Sequence, residues 1–205
     1  MSETTKKKPS VWQAFAQPAA WTMLLFGFSS GLPFLLVAGT LSYWLKQHGV
    51  VLKEITVIAS AGMLYAFKFV WAPLLDHWQA PVFARLGRRR GWLLLAQIGV
   101  IVGLVAMAWL TPAQLAAFVV ATLAVAFFGA TQDIAVDAYR IEIAPPDQQG
   151  ALVATYSLGY RIGLMVAGAF ALILADHVDW AHVYFAMAAV MLVISVLLVS
   201  LSFFL

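Results

Sequence analysis

The chain has 205 residues, of which 63% are hydrophobic and only 10% charged, with a mean hydropathy of +0.91. A water-soluble domain carries roughly a quarter charged residues, so this composition excludes an ordinary soluble globule and points to an integral membrane protein. The net charge of +3 at pH 7 fits basic loops beside anionic lipid, so membrane lipid and no nucleic acid is the expected partner; without cysteine, disulfides and thiolate metal sites are excluded.

Residues 1–18, with Lys6, Lys7 and Lys8, read as a cytoplasmic segment ahead of a transmembrane bundle over 19–205. A helix of about 20 apolar residues crosses a bilayer core, and runs of that kind fall at 21–45, 55–75, 92–110, 114–136, 152–175 and 183–205. The predicted fold is therefore all-α, with six membrane-spanning helices. The first run lacks a small-residue cleavage site after it and reads as a retained helix, not a signal peptide. It holds Ser29, Ser30, Gly31 and Pro33, which predict a kinked helix lining a cavity. The second span carries Tyr65 and Lys68; the lysine either faces a cavity or snorkels to the headgroups.

The third and fourth spans are joined tightly at Thr111 and Pro112, so these two form an antiparallel hairpin. The fourth helix is expected to run on to about Ile143, where Pro145 and Pro146 stop it. Gln132 and Asp133 lie inside it, and Asp133, Asp137 and Arg140 share one face. Asp133 sits roughly 15 Å from the helix end, where a carboxylate must be paired or must face water. It is a candidate proton carrier or substrate ligand, or else a structural partner for Arg161. Asp137 and Arg140 read as a gate or salt-bridge network nearer the surface.

Arg161 lies roughly 14 Å into the fifth span and needs an anionic partner, either a substrate carboxylate or Asp133. Tyr156 and Tyr160, four apart, can stack on a sugar ring, while Gly159, Gly163, Ala167 and Gly168 form a seam for close helix packing. Counted from the Pro145–Pro146 turn, Asp133 and Arg161 fall at similar depth, which predicts a pair between neighbouring helices. The sixth run reaches Leu205 without a polar tail, so the chain is expected to be a fragment or one half of a transporter.

With the N-terminus placed in the cytoplasm, the inner loops carry eight cations: Lys6, Lys7, Lys8, Arg85, Arg88, Arg89, Arg90 and Arg140. The outer loops carry Lys46 and Lys53, so both ends are predicted inside. Trp21, Trp44, Trp92, Trp109 and Trp180 stand where interfacial anchors belong. No phosphate loop or Gly-x-Ser-x-Gly occurs, and His48, His77, His177 and His182 are scattered, so no enzyme and no bound cofactor is expected.

The loop after the second span runs from Asp76 to Gly87-Arg-Arg-Arg-Gly91. It resembles the cytoplasmic signature of the major facilitator superfamily, with a longer spacing and with Ala72 where a Gly is common. Asp76, Arg88, Arg89 and Arg90 are then candidate gate residues. Five segments taken together are similar to the AmpG family of muropeptide permeases: Gly27-Phe-Ser-Ser-Gly-Leu-Pro33, Phe67-Lys-Phe-Val-Trp-Ala-Pro73, Gly87-Arg-Arg-Arg-Gly-Trp92, Ala130-Thr-Gln-Asp-Ile-Ala-Val-Asp-Ala138 and Gly159-Tyr-Arg-Ile-Gly163. The resemblance implies the N-terminal half of a proton-driven importer in the bacterial inner membrane. Its substrates would be N-acetylglucosaminyl-1,6-anhydromuramic acid and peptide-bearing forms, taken up for peptidoglycan recycling and linked to β-lactamase induction. Related branches carry acetyl-CoA or siderophores. The rival class is a non-transporting scaffold or partner subunit.

Overall fold

The computed structural model describes residues 17–111 and 113–202. The basic N-terminal segment with Lys6, Lys7 and Lys8, Pro112 in the tight connection, and the last residues of the sixth span lie outside them. Among the described residues all regular structure is helical. Helix α1 covers Pro18–Gln47, α3 Arg88–Trp109, α4 Leu115–Ile143, α5 Gln149–Ala175 and α6 Trp180–Ser202. These five are long and apolar enough to cross a membrane. Helix α4 ends at Ile143, before the two prolines, as the sequence predicts.

The remaining crossing, α2, runs over residues 52–77 and is not one regular helix. It alternates α-helical Leu52–Ala59, 3-10 Ser60–Met63, α-helical Leu64–Phe67, 3-10 Lys68–Val70 and α-helical Ala72–His77. Pro73 opens the last piece. It has no N–H to give to the Phe69 carbonyl four residues back, so the helical ladder is interrupted around Trp71. The small residues Ser60, Ala61 and Gly62 mark the other break.

Helix α1 is the centre of the bundle. Its Gly27 and Gly31 meet the backbone of α5 at Tyr156 and Tyr160, while Gly159 and Gly163 of α5 meet the α1 backbone at Leu24 and Phe28. Two Gly-x-x-x-Gly pairs thus face each other, and a Cβ at any of the four would strike main chain. On its other side, α1 is tied to α4 by a buried amide: Gln132 Nε2 donates to Ser29 Oγ (2.8 Å) and Ser30 Oγ (3.1 Å). Helices α3 and α4 form the predicted hairpin, and α6 packs over α3 and α1.

One expected neighbour relation is corrected. Helices α4 and α5 were placed side by side, but α5 lies along α1 and meets α4 little. The glycine seam explains this, because it lets α5 approach α1 to backbone contact, which larger side chains forbid.

Both α1 and α5 contain a π-helical turn, at Leu36–Thr40 and Val166–Phe170. The backbone disturbance there is met by hydroxyls. Thr40 Oγ1 donates to the Ala167 carbonyl (2.6 Å), and Tyr184 of α6 donates to the Leu36 carbonyl (2.9 Å). The main core surrounds this region with Leu32, Leu36, Leu104, Phe118, Tyr184 and Met187. Beyond it Trp44 stacks on Trp180 with ring centroids 5.6 Å apart. A second cluster joins Ala20, Met23 and Phe26 of α1 to Leu93, Tyr139 and Leu198. The start of α1 and the last turns of α6 therefore lie at the same end of the bundle. That end also carries Arg85, Arg88, Arg89, Arg90 and Arg140, and is called the basic end below.

Candidate functional site

Asp133 is almost enclosed, with 12% of its side chain exposed, and the fold supplies it with one cation. That cation is Lys68, whose Nζ lies 3.8 Å from Asp133 Oδ2 and 3.9 Å from Asp137 Oδ2. The 3-10 turn at Lys68–Val70 points the lysine at α4. Asp133 and Asp137 project from successive turns of α4, so one ammonium stands between both. Arg140 continues the row, with Nη2 3.5 Å from Asp137 Oδ1. The result is a ladder of alternating charge, Asp133–Lys68–Asp137–Arg140, climbing from inside the span to the basic end. Its last member is anchored by Gln149, whose amide donates to the Arg140 and Ala144 carbonyls (3.1 and 2.8 Å).

Arg161 is not the partner of Asp133. Among the described residues it forms no ion pair, and its side chain is exposed on α5. The reason is the correction above. With α5 laid along α1, the face of α5 that reaches Asp133 is that of Tyr156, whose hydroxyl donates to Asp133 Oδ1 at 3.3 Å. Arg161 lies five positions on, more than a full turn away and on a different face.

Tyrosines extend the site sideways. Tyr156 and Tyr160 have ring centroids 6.3 Å apart, Tyr160 and Phe34 6.4 Å, and Phe34 and Tyr65 5.0 Å. These four rings form a strip across α5, α1 and α2, beside the ladder. The Tyr65 hydroxyl is buried against Gly129 of α4 and has no hydrogen-bond partner among the described residues. Ser29, Ser30 and Gln132 are fully buried between α1 and α4 and form the floor, not an open wall. Lys68, Asp137, Tyr160 and Arg161 keep exposed surface on the flank formed by α2 and α5.

A second polar group stands at the basic end. Arg89 Nη1 pairs with Asp76 Oδ1 at 2.7 Å, and Arg89 Nε pairs with Glu142 Oε1 at 2.9 Å. Arg88 Nη1 donates to the Asp76 carbonyl at 2.6 Å. Gly87 precedes α3 with a φ of +88°, the left-handed region, which frees the loop to turn these arginines toward α2 and α4. Arg90 turns elsewhere, to a cavity beside Tyr139. Sequence reading missed Glu142, Phe34 and Trp71, the last of which donates Nε1–H to Thr131 Oγ1 (3.1 Å). A carboxylate in the last turn of α4 was a usable signal for Glu142. Phe34 and Trp71 resemble ordinary membrane packing until the helices are placed.

Residues 23–205 match the family described as Major Facilitator Superfamily. The chain is 42% identical over 180 residues to the "Anhydromuropeptide permease" of Escherichia coli (strain K12), covering 87% of this chain and 36% of that protein. It is 32% identical over 195 residues to the "Putative transporter AmpG 4" of Rickettsia felis, covering 94% of this chain and 47% of that protein. A protein of Haemophilus influenzae named "Uncharacterized protein" is 37% identical over 167 residues. The chain spans between about a third and a half of the length of these curated relatives.

Proposed function

The chain belongs to the Major Facilitator Superfamily, and from that premise we propose that it is half of a secondary transporter importing anhydromuropeptides, coupled to protons, across the bacterial inner membrane. The partner half, C-terminal in the same transporter, would cover the flank of α2 and α5. The observation that carries this reading is the Asp133–Lys68–Asp137 cluster inside the span, beside a strip of four aromatic rings. Kinship with the Escherichia coli protein named "Anhydromuropeptide permease" supports this choice of substrate. The chemistry of the site agrees with it, because a disaccharide presents apolar ring faces to aromatic rings and a muramyl lactyl group presents a carboxylate.

The sugar lies against Tyr156 and Tyr160, and Arg161, exposed one residue beyond Tyr160, takes the carboxylate through its planar fork. Lys68 is shared between two carboxylates at nearly equal distance. When it sides with Asp137, Asp133 is left without a countercharge in an enclosed place and takes a proton. When it returns, the proton is released. Asp76, Arg88, Arg89 and Glu142 hold the basic end closed in one conformation, and that end faces the cytoplasm.

Proteoliposomes of the full-length protein loaded at high pH and diluted into low pH should accumulate labelled N-acetylglucosaminyl-1,6-anhydromuramic acid. Asp133→Asn should bind the sugar but lose gradient-driven accumulation. Accumulation in the variant equal to wild type would sink the coupling role. Uptake of another anionic solute with none of the muropeptide would move the protein to a related carrier branch, and no solute flux at all would favour a scaffold.

A further inference from the structure

The basic end holds a second cavity, of about 200 Å³, lined by none of the ladder residues. Phe26 of α1, Leu93 and Leu94 of α3 and Leu198 of α6 give it apolar walls, and Arg85 and Arg90 stand among its lining. These two arginines differ from their neighbour. Arg89 is engaged by Asp76 and Glu142, whereas Arg85 and Arg90 form no ion pair among the described residues, and both are exposed. Gln97 also lines the cavity; it is 2% exposed, and its Nε2 has no hydrogen-bond partner among the described residues. A buried amide donor without an acceptor costs free energy unless an occupant accepts from it.

Two guanidinium groups without an ion pair among the described residues, an apolar slot, and a buried donor about two turns further along α3 match an amphiphile with an anionic head. We propose that this cavity is a binding site for an anionic phospholipid. The phosphate lies between Arg85 and Arg90, an ester carbonyl accepts from Gln97, and the upper part of an acyl chain lies along Leu93, Leu94 and Leu198. Charge-assisted hydrogen bonds to phosphate supply the selectivity for anionic heads. The site is independent of the ladder, so failure of the transport reading leaves it standing.

Native mass spectrometry of the full-length protein in detergent, titrated with phosphatidylglycerol or phosphatidylcholine, tests the proposal. Phosphatidylglycerol should be retained in preference to phosphatidylcholine. The double variant Arg85→Gln/Arg90→Gln should bind it roughly tenfold more weakly. Leu94→Trp, which fills the slot with both arginines in place, should weaken it to a similar degree. Equal retention of the two lipids, or undiminished binding in either variant, overturns the proposal. Displacement of phosphatidylglycerol by millimolar inorganic phosphate would identify an ordinary anion site and likewise overturn it.

Discussion

Lys68 is the residue on which the charge ladder turns, because it alone separates Asp133 from Asp137. Lys68→Met should leave Asp133 without a cation while Asp137 keeps Arg140, and a charge stripped of its partner in an enclosed site costs about 3–5 kcal/mol. Membrane abundance, read by immunoblot, should therefore fall. Adding Asp133→Asn should recover most of it without recovering proton-driven uptake, since the pair is then neutral but carries no proton. Recovery of both would mean that the ladder is structural only. Arg161→Lys should behave differently, with abundance unchanged and sugar affinity reduced, because a point charge cannot reproduce the bidentate fork. Unchanged affinity in isothermal titration would remove Arg161 from the binding role. Asp133 was legible from its setting, a carboxylate within a run of Ala, Val and Phe. Its partner was not, since counting residues from a turn gives depth in the membrane but not which helix stands beside which.

At the scale of helices, the α1–α5 contact is set by four glycines whose missing Cβ atoms leave room for the opposite backbone. A methyl at Gly159 would overlap the Leu24 carbonyl, and main chain cannot rotate aside as a side chain can. Gly159→Ala and Gly31→Ala should each destabilise by about 1–3 kcal/mol. Gly62→Ala meets nothing within 4 Å and should be neutral. Thermal unfolding of the purified full-length protein separates the cases, and equal melting temperatures for all three would refute the seam. The glycine spacing, the C-terminal end of α4 and the α3–α4 hairpin were readable because each rests on local chemistry: small side chains, paired prolines, a short connection. The breaks in α2 and the π turns in α1 and α5 were not. A π turn displaces carbonyls that need donors from elsewhere, and here those donors are Thr40 and Tyr184, the latter 148 positions from its acceptor.

For the molecule as a whole, the clustering of Ala20 with Leu198 around Tyr139 places the start of α1 and the last turns of α6 at one end. An even number of crossings requires that, and so the broken α2 counts as a full crossing although its pieces are short. The structure divides the connections into two sets. Arg85, Arg88, Arg89, Arg90 and Arg140 lie with one set, and Lys46 and Lys53 with the other. Cations in short loops resist translocation, so the proposed orientation puts the arginine-bearing end in the cytoplasm and the Lys53 and His177 connections outside. The chain contains no cysteine, which makes single introduced thiols clean reporters within it. Cysteine replacing Lys53 or His177 should react with a membrane-impermeant maleimide in intact cells, while cysteine replacing Arg89 should react only after the inner membrane is opened. The Arg89 site needs that second arm, because absent labelling in intact cells also fits a thiol shielded by its own loop, whichever side that loop faces. Failure at Arg89 in intact cells followed by labelling in inverted vesicles fits the assignment. Labelling at Arg89 in intact cells, with Lys53 silent, would reverse the whole bundle and put the Asp76–Arg89–Glu142 closure on the side from which substrate enters.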